Sequence, residues 1–268
     1  ADVITGGAGD DASVYVATAD LFTSSAVVDS VNGGDGTGDS ISINNNAGST
    51  FTIAIGDDFA RISNVEKIVA SGASNKIITI TTHADMVTDG ITTIDLSADT
   101  LATANNVIDA DAITGSVGMT LTGSAGIDSI TGTDWVDTIS GGGGADILGG
   151  GSGADIITGG LLADTITGGP GDDVITLTEA IAAVDIVIIS TVAISGTDTL
   201  TGFAINSDKI KTGLSEITPT YTDDTASDYS GQATLAAAAA ASAANVEANS
   251  GGDWATVGDV AAFTYDSK

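Results

Sequence analysis

Short runs of alternating apolar and polar residues dominate the first half of the chain. Between residues 29 and 122 they include SISI, FTIAI, KIITIT, TTIDLS and MTLT, separated by Gly, Asn, Asp and Ser. A period of two predicts β-strands that bury one face, and no helical period competes with it in this span. The runs lie roughly 10 to 25 residues apart, mostly without hairpin signals, which favours a parallel solenoid; a β-sandwich is the alternative.

A strict period of nine replaces this alternation from Gly123 to Thr176. Six consecutive units read GSAGIDSIT, GTDWVDTIS, GGGGADILG, GGSGADIIT, GGLLADTIT and GGPGDDVIT. Position six is always aspartate, namely Asp128, Asp137, Asp146, Asp155, Asp164 and Asp173. Position eight is always a large aliphatic residue, namely Ile130, Ile139, Leu148, Ile157, Ile166 and Ile175. A flexible linker has no reason to keep an aliphatic residue at a fixed period, so the pattern indicates a folded repeat.

This pattern resembles GGxGxDxUx, the calcium-binding nonapeptide of RTX proteins. The resemblance implies an all-β fold, a parallel β-roll in which GGxGxD forms a turn and xUx a short strand, with two units in each coil. Successive units then alternate between two edges, so Asp128, Asp146 and Asp164 should stack along one edge. Asp137, Asp155 and Asp173 should stack along the other.

The resemblance implies several calcium ions, bound by the position-six aspartates and the glycine turns. The glycines of the intact turns are Gly142, Gly144, Gly151, Gly153, Gly169 and Gly171. Glycine permits a positive φ, so the turn can curl its carbonyl oxygens around an ion, and Ca²⁺ accepts six to eight such oxygens. In two units Thr133, Trp135 and Leu162 replace turn glycines. We expect those turns to be distorted and their ions weak or missing.

Charge repulsion within each stack makes calcium necessary. Carboxylates one strand spacing apart, ~4.8 Å, repel by roughly 3 to 4 kcal/mol per pair at an effective dielectric near 20. We therefore expect ion binding and folding of the roll to be one event.

Further aspartates extend the list of calcium candidates. The unit GGAGDDASV, which starts at Gly6, contributes Asp11, and the preceding ADVIT matches the second half of another unit, which contributes Asp2. That half unit suggests that sequence precedes this chain. In VNGGDGTGDSISI the aspartate is displaced by one position, so Asp35 and Asp39 are second-rank candidates, with an ordinary Asx-rich turn as the alternative.

The region after the repeats predicts their closure. GTDTLTGFAINSDKI, residues 196–210, resembles the segment that closes the RTX region in proteins exported by type I secretion, where Asp198, Phe203 and Asp208 match the recurrent D, F and D. Asp198 is a further calcium candidate. An Ala-rich helix is predicted over residues 232–249.

The chain thus divides into 1–28, the end of a preceding coil; 29–122, a β-rich solenoid; 123–178, the calcium roll; and 179–268, closing strands, the helix and the start of a C-terminal region.

The amino-acid composition limits the classes of partner that the chain can bind. The 36 acidic residues against six Lys and Arg give a net charge of −30, which excludes nucleic acid and anionic membranes as direct partners. The chain has no Cys and one His, and it lacks a GxSxG motif, so we expect that it is not an enzyme. The longest apolar stretch, residues 180–194, contains Asp185 and is too short to span a bilayer.

Three functions from different classes fit these features. Most of the chain resembles type I-secreted bacterial S-layer proteins, which implies a structural protein on the surface of a Gram-negative cell. Its subunits would assemble into a calcium-bridged lattice, and another region could attach to a cell-surface glycan or lipopolysaccharide. The alternatives are the non-catalytic RTX module of a larger secreted enzyme or toxin, and an adhesin or glycan-binding module. The long β-rich stretch before the repeats favours the S-layer hypothesis.

Overall fold

The chain forms a parallel β-solenoid in a computed structural model. The structure describes residues 3–15, 21–23, 26–27, 29–43, 50–54, 59–72, 77–103, 105–113, 116–177, 183–189, 198–202, 207–212, 215–217 and 264–266. Asp2, Phe203 and the predicted Ala-rich helix lie outside these residues.

Short strands make up nearly all of the regular structure in these ranges. They are β1 (Val3–Thr5), β2 (Ala12–Tyr15), β3 (Phe22–Thr23), β4 (Ala26–Val27), β5 (Ser30–Asn32), β6 (Ser40–Ile43), β7 (Phe51–Ile53), β8 (Ile62–Ser63), β9 (Lys67–Ala70), β10 (Ile78–Thr81), β11 (Thr93–Asp95), β12 (Asn105–Asp109), β13 (Thr120–Thr122), β14 (Ile127–Thr131), β15 (Thr138–Gly143), β16 (Ile147–Gly149), β17 (Ile156–Leu161), β18 (Thr165–Thr167), β19 (Val174–Thr176), β20 (Ile186–Ile189), β21 (Thr199–Thr201), β22 (Lys209–Thr212), β23 (Ser215–Ile217) and β24 (Thr264–Asp266). One helix, α1 (Ala84–Thr88), interrupts them.

Two long sheets organise the strands. A nine-stranded sheet has the order β7-β10-β12-β14-β16-β18-β20-β22-β23, and a ten-stranded sheet has the order β2-β6-β9-β11-β13-β15-β17-β19-β21-β24. A small sheet, β1-β5-β8, and the pair β3-β4 complete the fold. Pairing is parallel except in β22-β23 and β3-β4. The predicted parallel solenoid is therefore confirmed, and the sandwich alternative is not.

One column of aliphatic side chains runs through each sheet and forms a large part of the core. In the repeats it is the position-eight column, and it continues in register beyond them. In the ten-stranded sheet the buried column is Ile41, Ile68, Ile94, Leu121, Ile139, Ile157, Ile175 and Leu200. In the nine-stranded sheet it is Ile53, Ile80, Ile108, Ile130, Leu148, Ile166 and Val187. Burial of branched side chains on neighbouring strands supplies the main stabilising contact of the coils.

Helix α1 is a feature that the sequence pattern did not predict. It has five residues, too few to show a helical period, and it begins where the Asp85 amide donates to Nδ1 of His83 over 3.2 Å. Met86 is its buried residue, so the helix covers part of the core. The lone histidine thus acts as an N-cap and lies 3.2 Å from the Asp85 carboxylate. Among the described residues, no helix has the length and apolar character that a bilayer span requires.

Candidate metal centre

One position recurs in the coils of both sheets, two residues before the aliphatic core residue, and its residue type varies from coil to coil. We call this residue the rung residue; in the repeats it is the position-six aspartate. The side chains point inward at the end of the turn, so all six repeat aspartates are at most 2% exposed. The two predicted stacks are present, because the pairs Ile130↔Leu148 and Ile139↔Ile157 bring alternate units into register.

Main-chain hydrogen bonds connect the rung residues into two ladders. The Oδ1 atom of each rung aspartate accepts the amide of the rung residue one coil earlier: Asp128 to Asp146, 2.8 Å; Asp137 to Asp155, 2.8 Å; Asp146 to Asp164, 2.9 Å; and Asp155 to Asp173, 2.9 Å. One oxygen of each carboxylate is therefore committed to the fold. In Asp146, Asp155 and Asp173 the second oxygen, Oδ2, accepts no hydrogen bond.

Glycines shape the turns that surround Oδ2. All six glycines predicted for the intact turns have positive φ, between 98° and 142°. A β-carbon at Gly142 or Gly160 would collide with the carbonyl oxygen of the preceding coil, so the tight stacking also requires glycine. At Gly141 and Gly150 a β-carbon would meet Oδ2 of the unit's own aspartate and a carbonyl oxygen of the next coil. The turn thus directs several oxygens toward one small space.

Leu162 replaces the glycine at position four of its unit. It adopts φ 73°, positive like that of Gly144, Gly153 and Gly171 at the equivalent position but smaller than their values of 120° to 142°. A branched-chain residue pays a steric cost there, since its β-carbon approaches the following carbonyl oxygen. The turn therefore keeps a positive φ at this position, at a steric cost to leucine, and its φ differs from that of the glycine turns.

Three of the six repeat aspartates have a buried oxygen without any donor. Oδ2 of Asp146, Asp155 and Asp173 is buried and accepts no hydrogen bond. Burial is the largest cause that raises their pKa values, to about 8, about 7 and about 6 respectively, and repulsion from neighbouring aspartates adds to it. A buried, unpartnered carboxylate oxygen is costly. A cation would remove that cost.

Two other rung aspartates have donors of their own. Oδ2 of Asp128 accepts the amide of Ser124 at 2.5 Å and its hydroxyl at 2.9 Å. Oδ2 of Asp137 accepts the amide of Thr133 at 2.6 Å and its hydroxyl at 3.0 Å. Burial still raises the pKa of both carboxyls, but these hydrogen bonds oppose it. The turn containing Thr133 and Trp135 therefore differs from the glycine turns, as expected, because a hydroxyl donor occupies the carboxylate.

The donor set of the glycine turns fits calcium. The described residues contain no cluster of three or more His, Cys, Asp or Glu side chains that could hold a metal by themselves. Any ion in these turns must take most of its ligands from main-chain carbonyl oxygens, with one or two carboxylates. Such a flexible oxygen-only set is what Ca²⁺ accepts, whereas Mg²⁺ requires a small octahedral shell. When bound, calcium would supply the positive charge that the stacked carboxylates lack.

The remaining predicted ligands have different surroundings. Asp11 is exposed, and its Oδ2 accepts the Gly7 amide at 2.6 Å. Asp39 is 1% exposed and takes the rung position, whereas Asp35 is exposed and outside it. Asp198 is a buried rung residue whose Oδ1 accepts the Asp173 amide at 3.1 Å, and burial raises its pKa.

Several rung residues were missed by the sequence reasoning. Asp185 accepts the Asp164 amide at 2.8 Å, and Asp208 accepts the Asp185 amide at 3.1 Å, so the ladder continues past the repeats. Glu66 and Asn106 hold rung positions before the repeats. All four precede an aliphatic core residue by two positions, and a search for acid or amide, any residue, aliphatic, without a fixed period, would have found them.

A comparison with protein families agrees with this geometry. A model of the RTX calcium-binding nonapeptide repeat matches residues 1–12, 122–157 and 158–177, in four copies. A comparison with curated proteins found no match. The chain therefore carries RTX repeats, which bind calcium ions in several copies. Proteins with these repeats are typically secreted.

Proposed function

We propose that the chain is a structural protein of a bacterial surface layer, secreted by the type I pathway, folded by calcium outside the cell and assembled into a calcium-bridged lattice. The observation that supports this most is the continuity of the two sheets. Strands before the repeats, such as β10 and β11, belong to the same sheets as the repeat strands β14 to β19. The repeats are thus one segment of a longer, rod-like body, which is what a building block of a layer needs.

Exposed aliphatic side chains on the sheets also support assembly. Ile147 is 60% exposed on the nine-stranded sheet, and Ile156 is 48% exposed on the ten-stranded sheet. Both lie at position seven, where the side chain points away from the core. Isolated exposed aliphatics are ordinary, but here they occur on both faces of one acidic rod. We propose that they contribute to contacts between subunits, with calcium bridging the acidic surfaces.

We also propose that these residues carry no catalytic activity. The sole imidazole, His83, caps helix α1 and is hydrogen-bonded to the amide of Asp85. The repeat carboxylates of the ladders, such as Asp146 and Asp155, each accept a main-chain amide of the neighbouring coil, which suits a structural role.

Electron microscopy tests the assembly hypothesis. The protein is dialysed into millimolar calcium, and a two-dimensional sheet is expected; dispersed monomers would favour the alternative, a non-catalytic RTX module of a larger secreted enzyme, toxin or adhesin. The matched variant is Ile147→Thr, because Thr165 occupies the register position next to Ile147 and the fold tolerates it. We expect this variant to fold with calcium but to form smaller or fewer sheets. Unchanged sheets would exclude this face as a contact.

A further inference from the structure

Two kinds of turn occur within the repeats, and the first two units differ from the later four. In the later units position two is a glycine with φ between 98° and 118°. In the first two units Ser124 and Thr133 hold this position, and neither has a positive φ. Gly126, at position four of the first unit, also lacks a positive φ, although glycine can adopt one. The family model matches both units, but their turns do not have the backbone of the glycine turns.

The Ser124 hydroxyl has a complete set of hydrogen-bond partners. Its oxygen accepts the side-chain amide of Asn106 at 3.1 Å and the main-chain amide of Gly126 at 3.0 Å. A hydroxyl has two acceptor sites and one proton, so the proton is left for Asp128, whose Oδ2 lies 2.9 Å away. Ser124, Asn106 and Asp128 are at most 3% exposed. This buried network therefore supplies the carboxylate with donors without an ion.

The second unit has a similar arrangement. The Thr133 hydroxyl oxygen accepts the Trp135 amide at 3.0 Å and donates to Oδ2 of Asp137 over 3.0 Å. In the next coil, by contrast, Oδ2 of Asp146 and of Asp155 is buried and accepts no hydrogen bond. A buried polar atom without a partner is costly, whereas one with donors is not. The need for a cation therefore begins at Asp146 and Asp155.

The hydrogen bonds between rung residues all run in one direction. The Asp128 amide donates to the carboxylate of Asp146, and the Asp137 amide donates to that of Asp155, both over 2.8 Å. A coil that is already folded thus presents fixed donors that orient the carboxylates of the following coil. In a solenoid, folding can start in one repeat and propagate to its neighbours.

We propose that the hydroxyls of Ser124 and Thr133 replace calcium in residues 123–140, the first coil of the repeats, and that this ion-free coil is the template from which calcium-dependent folding proceeds toward Asp173. Strands β14 and β15 are already in register with β12 and β13 of the preceding coils. The amides of the first coil then orient the next two carboxylates, and an ion completes each later turn. The proposal concerns a monomer, so it does not depend on the proposed surface-layer role.

Native mass spectrometry of the full chain at saturating calcium tests whether the first coil holds an ion. Asp128→Asn should bind as many calcium ions as the wild type, because hydroxyl and amide donors already occupy this carboxylate. Asp146→Asn, one coil later in the same stack, should bind at least one ion fewer. Both variants remove one buried charge from one ladder, so bulk charge cannot produce the difference. Loss of an ion in both variants, or in neither, would overturn the proposal.

Hydrogen exchange during a calcium titration tests the template. In the wild type, amides of residues 127–140 should be protected in chelator, and those of residues 147–167 only with calcium. Ser124→Ala removes the hydroxyl, so the calcium midpoint of protection over residues 147–167 should rise about fivefold or more, although these residues lie in later coils. Ser129→Ala removes a hydroxyl from a half-buried position of strand β14 and should keep the wild-type midpoint.

A variant at the far end of the ladder tests the direction. Asp185→Asn keeps the acceptor for the Asp164 amide but removes a charge beyond the repeats. It should leave the calcium midpoint of residues 147–149 unchanged, whereas Ser124→Ala should raise it. An equal rise in both variants, or the reverse result, would overturn the proposal. If a variant does not fold, the wild type decides: exchange of residues 127–140 in chelator as fast as that of residues 147–167 contradicts the template, and slower exchange supports it.

Discussion

The coils before the repeats and the coils within them share two sheets and one aliphatic core, but they differ in the rung residue. Directly before the repeats, buried Ile78 in strand β10 and Met119 next to strand β13 precede the core residue, whereas coils nearer the N-terminus carry Asp39 and Glu66 at the rung position. Within the repeats, the same position holds a buried carboxylate, as in Asp146 and Asp155. An apolar side chain is stabilised by burial itself, whereas a buried carboxylate requires a partner. The coils of residues 78–122 thus fold by burying apolar surface, whereas the coils of the repeats depend on calcium.

The coil at the boundary between the two parts relies on hydrogen bonds, and neither on apolar burial at the rung position nor on an unpartnered carboxylate. On one edge the Ile78 amide donates to the side-chain oxygen of Asn106 at 2.8 Å, and on the other the Met119 amide donates to Asp137 at 2.5 Å. The Asn106 amide group donates to the Ser124 hydroxyl at 3.1 Å. In the first polar coil, neutral amide and hydroxyl groups therefore supply the hydrogen-bond partners of the rung residues. We therefore expect the dependence of folding on calcium to increase from this coil into the glycine turns.

The largest expected effect is an opposite pH dependence with and without calcium. In the metal-free fold, burial raises the pKa of Asp146 to about 8, Asp155 to about 7 and Asp173 to about 6, from 3.8. The folded form then binds more protons than the unfolded chain, so the stability is present below about pH 4 and is lost as the pH rises through these values. With calcium the sign reverses, because protons compete with the ion for the same oxygens.

Thermal melts followed by circular dichroism at pH 4.5 and pH 8 measure this difference. We expect the metal-free protein to melt roughly 10 °C or more higher at the lower pH, and the calcium-loaded protein to melt higher at pH 8. The same sign in both series would mean that these carboxylates do not bind the ion.

Asp155→Asn should have the next largest effect. The substitution keeps the acceptor for the Asp137 amide and removes the charge next to an unpartnered oxygen. We expect the calcium midpoint of folding to rise at least about tenfold, equivalent to about 1.4 kcal/mol. The control is Asp134→Asn, because Asp134 is exposed and is not a rung residue. Equal midpoints for the two variants would indicate general screening of charge instead of a defined ligand.

The Thr133→Val variant tests the difference between the turn with a hydroxyl donor and the glycine turns. Valine keeps the shape of threonine but removes the hydroxyl that donates to Asp137. The free energy of unfolding in calcium should fall by about 1 to 2 kcal/mol, because a buried carboxylate loses a donor. Thr138→Val, at an exposed position of β15, is the matched control and should change stability little. Urea unfolding measures both, and a similar loss in the two variants would contradict a specific role for the Thr133 hydroxyl.

Leu162→Gly should produce the smallest change, and it should be stabilising. Glycine adopts the left-handed conformation of residue 162 without the steric cost that leucine pays, so we expect a gain of about 1 kcal/mol. Leu161→Gly, in strand β17, is the control and should be destabilising, because no positive φ is relieved there. A loss of stability in Leu162→Gly would mean that the leucine side chain makes a stabilising contact that outweighs the strain.

The fold was predictable where the sequence kept a fixed period. The nine-residue units placed Asp128 to Asp173 in two stacks, and the alternating runs before them indicated parallel strands. The rung positions of Glu66, Asp185 and Asp208 were not predicted, because the coils that contain them have variable lengths and break the period. The sheet register restores the alignment in three dimensions, since side-chain pairing and burial, not chain length, fix which residues face each other.

The hydroxyl donors were also missed, for a different reason. The sequence showed only that Thr133 and Trp135 replaced glycine, which suggested a damaged turn. It did not show that the Thr133 and Ser124 hydroxyls reach the rung carboxylates, because that contact depends on the closed shape of the turn. Residue type alone therefore indicated a weaker ion site, and the geometry supplied the cause.

Hydrogen exchange with and without calcium tests the central division most directly. We expect amides in strands β10 to β13, over residues 78–122, to keep their protection from exchange in chelator. The rung residues Ile78, Asn106 and Met119 are apolar or amide side chains that need no ion. Amides of residues 141–176 should lose protection in chelator and regain it when calcium is added. Full protection of residues 141–176 in chelator, or loss of protection in both regions together, would contradict the account.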